Sequence, residues 1–201
     1  MYDGIITTSH QDPALAMKGT LKDGRTVYVV RDEDRESPDA WDFVAELVLV
    51  GHGARQYALG TEDSRVTEAH DRFRNGTLAN WHETDDAVAR YMRMFHNTEV
   101  LAVSLQDYTD YANGYVVLDL ADAEREGITD VPAALKGTAE TWQQYFAGDV
   151  YGFIVVDEET GGEDSYWGYY GEPDDLIKSG FYGDAYDPAE LESYDWARVQ
   201  D

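Results

Sequence analysis

Five histidines, His10, His52, His70, His82 and His96, are the first residues to test for chemistry, because imidazole serves both as metal ligand and as proton carrier near neutral pH. None stands in an HExxH arrangement, and no two lie four residues apart with a third ligand nearby. His52 has the most distinctive setting: in Gly51-His52-Gly53 the small neighbours permit a close approach by backbone or ligand. With Trp41 and Asp42 from the preceding loop it could build a small hydrolase or metal-dependent site, a reading that predicts a cleft where the three converge. The plainer reading is a structural or surface histidine.

The carboxylates offer a second constellation. Asp157, Glu158, Glu159, Glu163 and Asp164 crowd around a glycine turn and would attract Ca²⁺, but their spacing does not match the EF-hand loop, so a solvated hairpin tip is expected. The chain has no cysteine, hence no thiolate nucleophile, no disulfide and no Cys-type zinc site. It also lacks a GxSxG elbow, a Walker A loop and a GxGxxG following a strand. No metal and no cofactor is expected, and an enzyme reading rests on His52 alone.

Charge is the loudest signal. Asp and Glu number 41 against 15 Lys and Arg, a formal net charge of −26 in 201 residues. Such a surface repels phosphate backbones and anionic membranes, and it is attracted to basic surfaces, of which nucleic-acid-binding grooves are the most basic in a cell. Direct nucleic-acid or membrane binding is therefore disfavoured. The alternative is an acidic accessory protein of a salt-adapted or GC-rich host, a pattern that the excess of Arg over Lys fits equally. The first twelve residues have neither a basic nor an apolar signal-peptide region, and the apolar run Phe43 to Val50 is far short of a membrane span, so a cytoplasmic location is expected.

With 43% apolar and 13% aromatic residues the chain can bury a core, and a chain of this length buries about 70% of its unfolded surface. Tyr2 to Thr8 and Arg25 to Val30 read as strands joined through Asp23-Gly24, followed by a charged loop from Arg31 to Asp42. Phe43 to Val50, Val100 to Leu105 and Gly114 to Leu118 read as further strands. Ser64 to Arg74, a segment capped by Thr84 and running to Phe95, and Asp130 to Phe146 show helical spacing. Val150 to Val156 and Ser165 to Tyr170 form a hairpin across Thr160-Gly161-Gly162. The expectation is one α+β domain over residues 1–171, a mixed or antiparallel sheet with this hairpin and the helices packed on one face.

Residues 172–201 read as an acidic, aromatic-rich extension packed on that domain, with short helices after Pro173 and after Asp187-Pro188. From Asp157 to Asp201 there are 14 acids and 2 bases, interleaved with tyrosines and tryptophans. Carboxylates spaced along a surface approximate a phosphate backbone and could occupy a basic groove. The candidate partner-binding acids are Asp174, Asp175, Asp184, Asp187, Glu190, Glu192 and Asp195.

Four segments carry a family resemblance. Trp142 to Phe153, with Gly148-Asp149-Val150-Tyr151-Gly152, resembles the GDVYGY-type strand of a group of small uncharacterised proteins encoded by phages, plasmids and conjugative elements. Asp164 to Gly171, with Trp167, is similar to that group's DSCWGFYG-type strand, Ser37 to Asp42 to its SPREWDN-type loop, and His52 to Gly60 to its histidine-to-LG segment. Together these 35 residues, in the group's order along the chain, mark Trp41, Asp42, His52, Asp149, Tyr151 and Trp167 as a possible motif site. Tyr166 stands where the group usually has cysteine, and Leu105 to Asp110 lacks its histidine-glycine pattern, so no thiol or histidine chemistry carries over. The resemblance implies a mobile-element origin, and with the charge it implies an accessory protein that binds and inhibits a host defence or nucleic-acid-handling complex through a DNA-mimicking, anti-restriction type of surface.

Overall fold

The computed structural model describes residues 15–41, 43–50, 60, 62–75, 81–105 and 113–198. Its class is α+β with antiparallel sheets, as the sequence predicts, but the chain divides into two compact units. One combines Met1–Glu36 with Ala147–Asp201, and the other is Ser37–Phe146.

The first unit is built on a five-stranded antiparallel sheet, and its strands are β1 (Leu15–Leu21), β2 (Thr26–Arg31), β6 (Val150–Asp157), β7 (Gly162–Tyr170) and β8 (Leu191–Arg198) in the order β7-β6-β2-β1-β8. The β1–β2 turn is made by Asp23-Gly24: Gly24 takes φ 91°, and the Asp23 carboxylate accepts the Arg25 N–H at 3.0 Å. At the β6–β7 turn Asp157 does the same work, accepting from the N–H groups of Glu159 and Thr160 and from the Thr160 hydroxyl. These bonds, the Thr160 hydroxyl's first, hold the Asp157 carboxyl below the usual aspartate range.

On one face of this sheet Met17, Leu21, Val27, Val29, Tyr151, Phe153 and Val155 pack against Leu176, Ile177, Ala185 and Tyr186. Leu176 and Ile177 belong to α5 (Pro173–Ser179), which starts on a proline at its first turn and ends at Gly180 in the left-handed conformation. The expected boundary at 171/172 therefore does not set the C-terminal residues apart: α5 supplies core side chains and β8 pairs along the whole of β1. Two expected features change identity here. The segment after Pro188 is a single 3-10 turn, Pro188–Glu190, leading into a strand, and the partner of β2 is Leu15–Leu21. The strand expected at Tyr2 to Thr8 lies outside the described residues.

The second unit has a three-stranded antiparallel sheet, β3 (Glu46–Val50), β5 (Asn113–Asp119) and β4 (Thr98–Ser104), with β5 central. Its strands are apolar on both faces, so both need cover. Val48, Val50, Tyr115 and Val117 face α1 (Ser64–Asn75) and α2 (Trp81–His96), meeting Val66, Ala69, Val88 and Met92. Leu47, Val116, Leu118 and Val103 face α3 (Leu120–Arg125) and α4 (Val131–Ala147), meeting Ala123, Leu135, Ala139 and Trp142. The expectation of one helix-covered face thus gives way to cover on both faces, and the hairpin belongs to the other sheet. α2 begins three residues before Thr84, which is fully buried in its first turn. α3, which the sequence reading passed over, is capped by Asp119 accepting the Ala121 N–H at 2.8 Å.

Candidate functional site

The acids singled out in the C-terminal segment lie on α5, on the turns that follow it and on β8, and they do not form one stripe. Asp174 and Asp175 stand in the first turn of α5. Asp174 is paired with Lys178, whose ammonium also lies 4.0 Å from Asp175 and 5.5 Å from the centre of the Tyr194 ring. Asp187 caps the 3-10 turn by accepting the Ala189 N–H at 2.9 Å. Asp175, Asp184, Asp187, Glu192 and Asp195 are exposed, while Asp174 and Glu190 are half-buried.

Among the described residues β8 is an edge strand paired with β1 alone, and its side chains alternate between the two faces of the sheet. Tyr194 and Trp196 stand opposite Gly19 and Met17 on the α5 face, and Asp195 stands opposite Lys18 on the other. Both aromatics are 39% exposed. Between α5 and the 3-10 turn, Gly180, Phe181, Tyr182 and Gly183 all have positive φ, a conformation that costs a non-glycine residue about 1–2 kcal/mol. Phe181 is held there by its ring 4.0 Å from that of Tyr169, and a Cβ at Gly180 would overlap the Tyr186 carbonyl oxygen. The result is that Tyr182 projects into solvent, 87% exposed, beside Asp184.

The motif residues divide. Asp42 and His52 lie outside the described residues, and Trp41 belongs to the second unit, 40% exposed with its ring 5.8 Å from that of Phe43. Asp149, Tyr151 and Trp167 belong to the first unit, where register gathers two of them with residues the sequence reading did not select. Arg31 pairs directly across from Tyr151, and its guanidinium lies 3.9 Å from the Asp149 carboxylate. Burial raises the Asp149 carboxyl above its ordinary range, and the Arg31 and Arg35 guanidinium groups oppose that rise. Burial likewise pushes the Tyr151 phenol up to about 12, with the negative Asp149 adding to it. Its hydroxyl lies among these charges without closing a well-formed hydrogen bond. Burial raises both groups, and the Arg31 guanidinium, 3.9 Å from Asp149, ties the end of β2 to the start of β6 as a clasp at the end of the sheet.

No protein-family model, curated protein or solved structure matches this chain. Among the described residues, no group of three or more histidine, cysteine or acidic side chains is placed to hold a metal ion, and no helix is long and apolar enough to cross a membrane.

Trp167 is positioned by a bulge. Tyr151 pairs with Tyr169 and Phe153 with Tyr166, so Trp167 and Gly168 together oppose Gly152, and Gly168 takes φ 84°. The indole lies flat on Gly152: a Cβ there would fall 2.6 Å from Cζ3 and 2.7 Å from Cδ2. Asp32, buried and raised by that burial, accepts the Asp34 N–H at 3.1 Å, and the Gly168 N–H in the bulge favours its charged form. Replacing Gly152 with alanine is expected to lift the indole, lower stability by about 1–3 kcal/mol and shift tryptophan emission toward that of a solvated ring. Urea unfolding followed by fluorescence reads both. Arg31, Arg35 and Asp32 are the residues missed; the only sequence signal for them was a cation ending one alternating strand and an acid opening another.

Proposed function

We propose that the protein is a non-catalytic accessory factor of a mobile element that acts in the host cytoplasm, where it binds and inhibits a host protein by covering a basic, nucleic-acid-binding face. The observation that carries this reading is the company the acids keep. Trp196, Tyr194, Tyr182 and Trp167 are exposed by 39–87% within the same unit as exposed Asp175, Asp184, Glu192 and Asp195. Carboxylates alone keep a chain hydrated and soluble, and that task has no use for half-exposed tryptophan. Tryptophan and tyrosine are enriched where proteins contact one another, and here they share one unit with these exposed carboxylates. The resemblance of the Trp142 to Phe153 and Asp164 to Gly171 segments to proteins of phages and conjugative elements supports the origin.

One observation favours the rival account, acidity of a salt-adapted or GC-rich host. Acids are spread over both units, 22 with 7 bases in the first and 19 with 8 in the second. The two accounts part in a capture experiment from host lysate. Mimicry expects one nucleic-acid-handling partner, retained at low salt and released at high salt. Reversing Asp175, Asp184, Glu192 and Asp195 to lysine together should weaken that binding more than tenfold while circular dichroism stays unchanged. Binding indifferent to salt and to the reversals, or no partner at either salt, would leave general acidity as the better account.

A further inference from the structure

The exposed face of α2 is unlike the rest of this molecule. Phe73, Ala87, Tyr91, Met94 and Phe95 line an open groove there, with Met94 74% and Phe95 66% exposed. Phe73, Tyr91 and Phe95 form a ladder of rings with centroids 6.0 and 5.0 Å apart. Exposed methionine and phenylalanine in one patch mark a contact surface more than they mark solvation.

Charge selects the occupant. α1 and α2 carry Arg65, Arg72, Arg74, Arg90 and Arg93 against Glu68, Asp71, Glu83, Asp85 and Asp86, so this helix pair is neutral on a chain of −26. The order along α2 matters as much as the sum. Its outward acids, Glu83 and Asp86, stand in the N-terminal half, and its outward bases stand in the C-terminal half: Arg90, which lines the groove, and Arg93, which is paired with Glu99 of its own chain. A helix face so ordered is complementary to itself when a second copy is laid antiparallel about a two-fold axis near Val88. Acids of one copy then meet arginines of the other on both sides of the axis. Ala87, small and near that axis, allows the helices to close, and the Tyr91, Met94 and Phe95 side chains of each copy gain apolar cover.

We infer that the groove on α2 is the contact surface of a homodimer, whose occupant is the α2 of a second copy of this chain. It rests on residues separate from the acidic C-terminal surface, so either idea can fail alone. The two copies carry like net charge, so repulsion between them opposes association and salt screens it. Dimer formation therefore strengthens as salt is raised, opposite in sign to binding of a basic partner.

Sedimentation velocity over a range of concentrations at low and high salt tests it with the intact chain. The expected result is a monomer–dimer equilibrium that tightens several-fold in high salt. Met94→Asp with Phe95→Asp should weaken it at least tenfold, and because both side chains are exposed the fold should survive, as circular dichroism will show. Asp86→Arg alone and Arg90→Asp alone should each weaken association, and the two together should restore it, an outcome that a structural defect would not produce. A chain that stays monomeric at every concentration and salt overturns the inference. So does a dimer indifferent to Met94→Asp with Phe95→Asp, or a monomer that uses Met94 and Phe95 to hold a different protein.

Discussion

Raising the pH above about 10 should unfold this protein cooperatively, well before its buried phenols would titrate within the fold. Tyr115, Tyr151 and Tyr186 are each buried to within 4% of complete, and burial raises the pKa of all three. Tyr115 donates to Asp85 Oδ1 at 2.7 Å, and Tyr186 donates to the Ile177 carbonyl, so ionisation would set a phenolate against a carboxylate or a carbonyl oxygen. The sign follows from linkage. The folded chain retains protons that the unfolded chain releases from about pH 10, so this contribution is complete below that value and is lost as pH rises toward the folded pKa. For Tyr151, from 10.0 to about 12, the loss is about 2–3 kcal/mol. Three such groups together approach the whole stability of a typical domain.

Tyrosinate absorbance and far-UV circular dichroism recorded together through the alkaline range read this directly, and both should change in one step. Tyr151→Phe gives the internal check. Its hydroxyl closes no well-formed hydrogen bond, so the variant should lie within about 1 kcal/mol of the parent at neutral pH and unfold at a higher alkaline midpoint. Tyrosines that titrate smoothly near their ordinary value, with the dichroism unchanged, would show these phenols to be accessible.

The parts of the fold that were legible in the sequence are those whose stability is local. The helix ending at Gly148, the hairpin turn at Asp157 to Gly161 and the spacing of Val66, Ala69 and Phe73 are written in neighbouring residues. β1 was not legible, because Leu15–Leu21 contains alanine, lysine and glycine and becomes a strand only by pairing on both sides. β8 was masked for the opposite reason: Glu192, Ser193, Tyr194 and Asp195 are all exposed, so no buried face betrays the strand. The two-unit organisation depends on β2 meeting β6 across the entire second unit, a contact with no composition shift at 36/37 or 146/147 to announce it. The clasp around Tyr151 inherits that blindness, since Arg31 reaches Asp149 only through the Arg31–Tyr151 register. The acids were plain from the start, yet their sorting was not. Asp174 pairs with a lysine that also approaches Asp175, and Asp187 and Asp195 each accept a backbone N–H, while Asp175, Asp184, Asp187, Glu192 and Asp195 all remain exposed.

Phe153→Ala should lower stability by about 3–5 kcal/mol, enough to leave a protein of ordinary stability partly unfolded at physiological temperature. Phe153 lies in β6 between its two paired neighbours, fully buried, with its ring 5.2 Å from that of Tyr169 and 6.1 Å from that of Tyr186, both edge-on. Truncation removes the ring's transfer energy and both aromatic contacts. It also opens a cavity between the sheet and the α5 segment that the paired backbone cannot collapse to fill. The same substitution at Trp196, 39% exposed on the edge strand β8, removes a larger side chain from a site that solvent already shares, and should cost no more than about 1 kcal/mol. Partner capture is expected to invert that order, since Trp196 stands at the proposed contact and Phe153 touches no solvent. Urea midpoints for the pair, set beside low-salt capture by each variant at a temperature where both are folded, separate residues that hold the sheet together from residues that the sheet holds out. Equal losses of stability at the two positions would mean that Trp196 is a core residue and would remove it from the proposed contact.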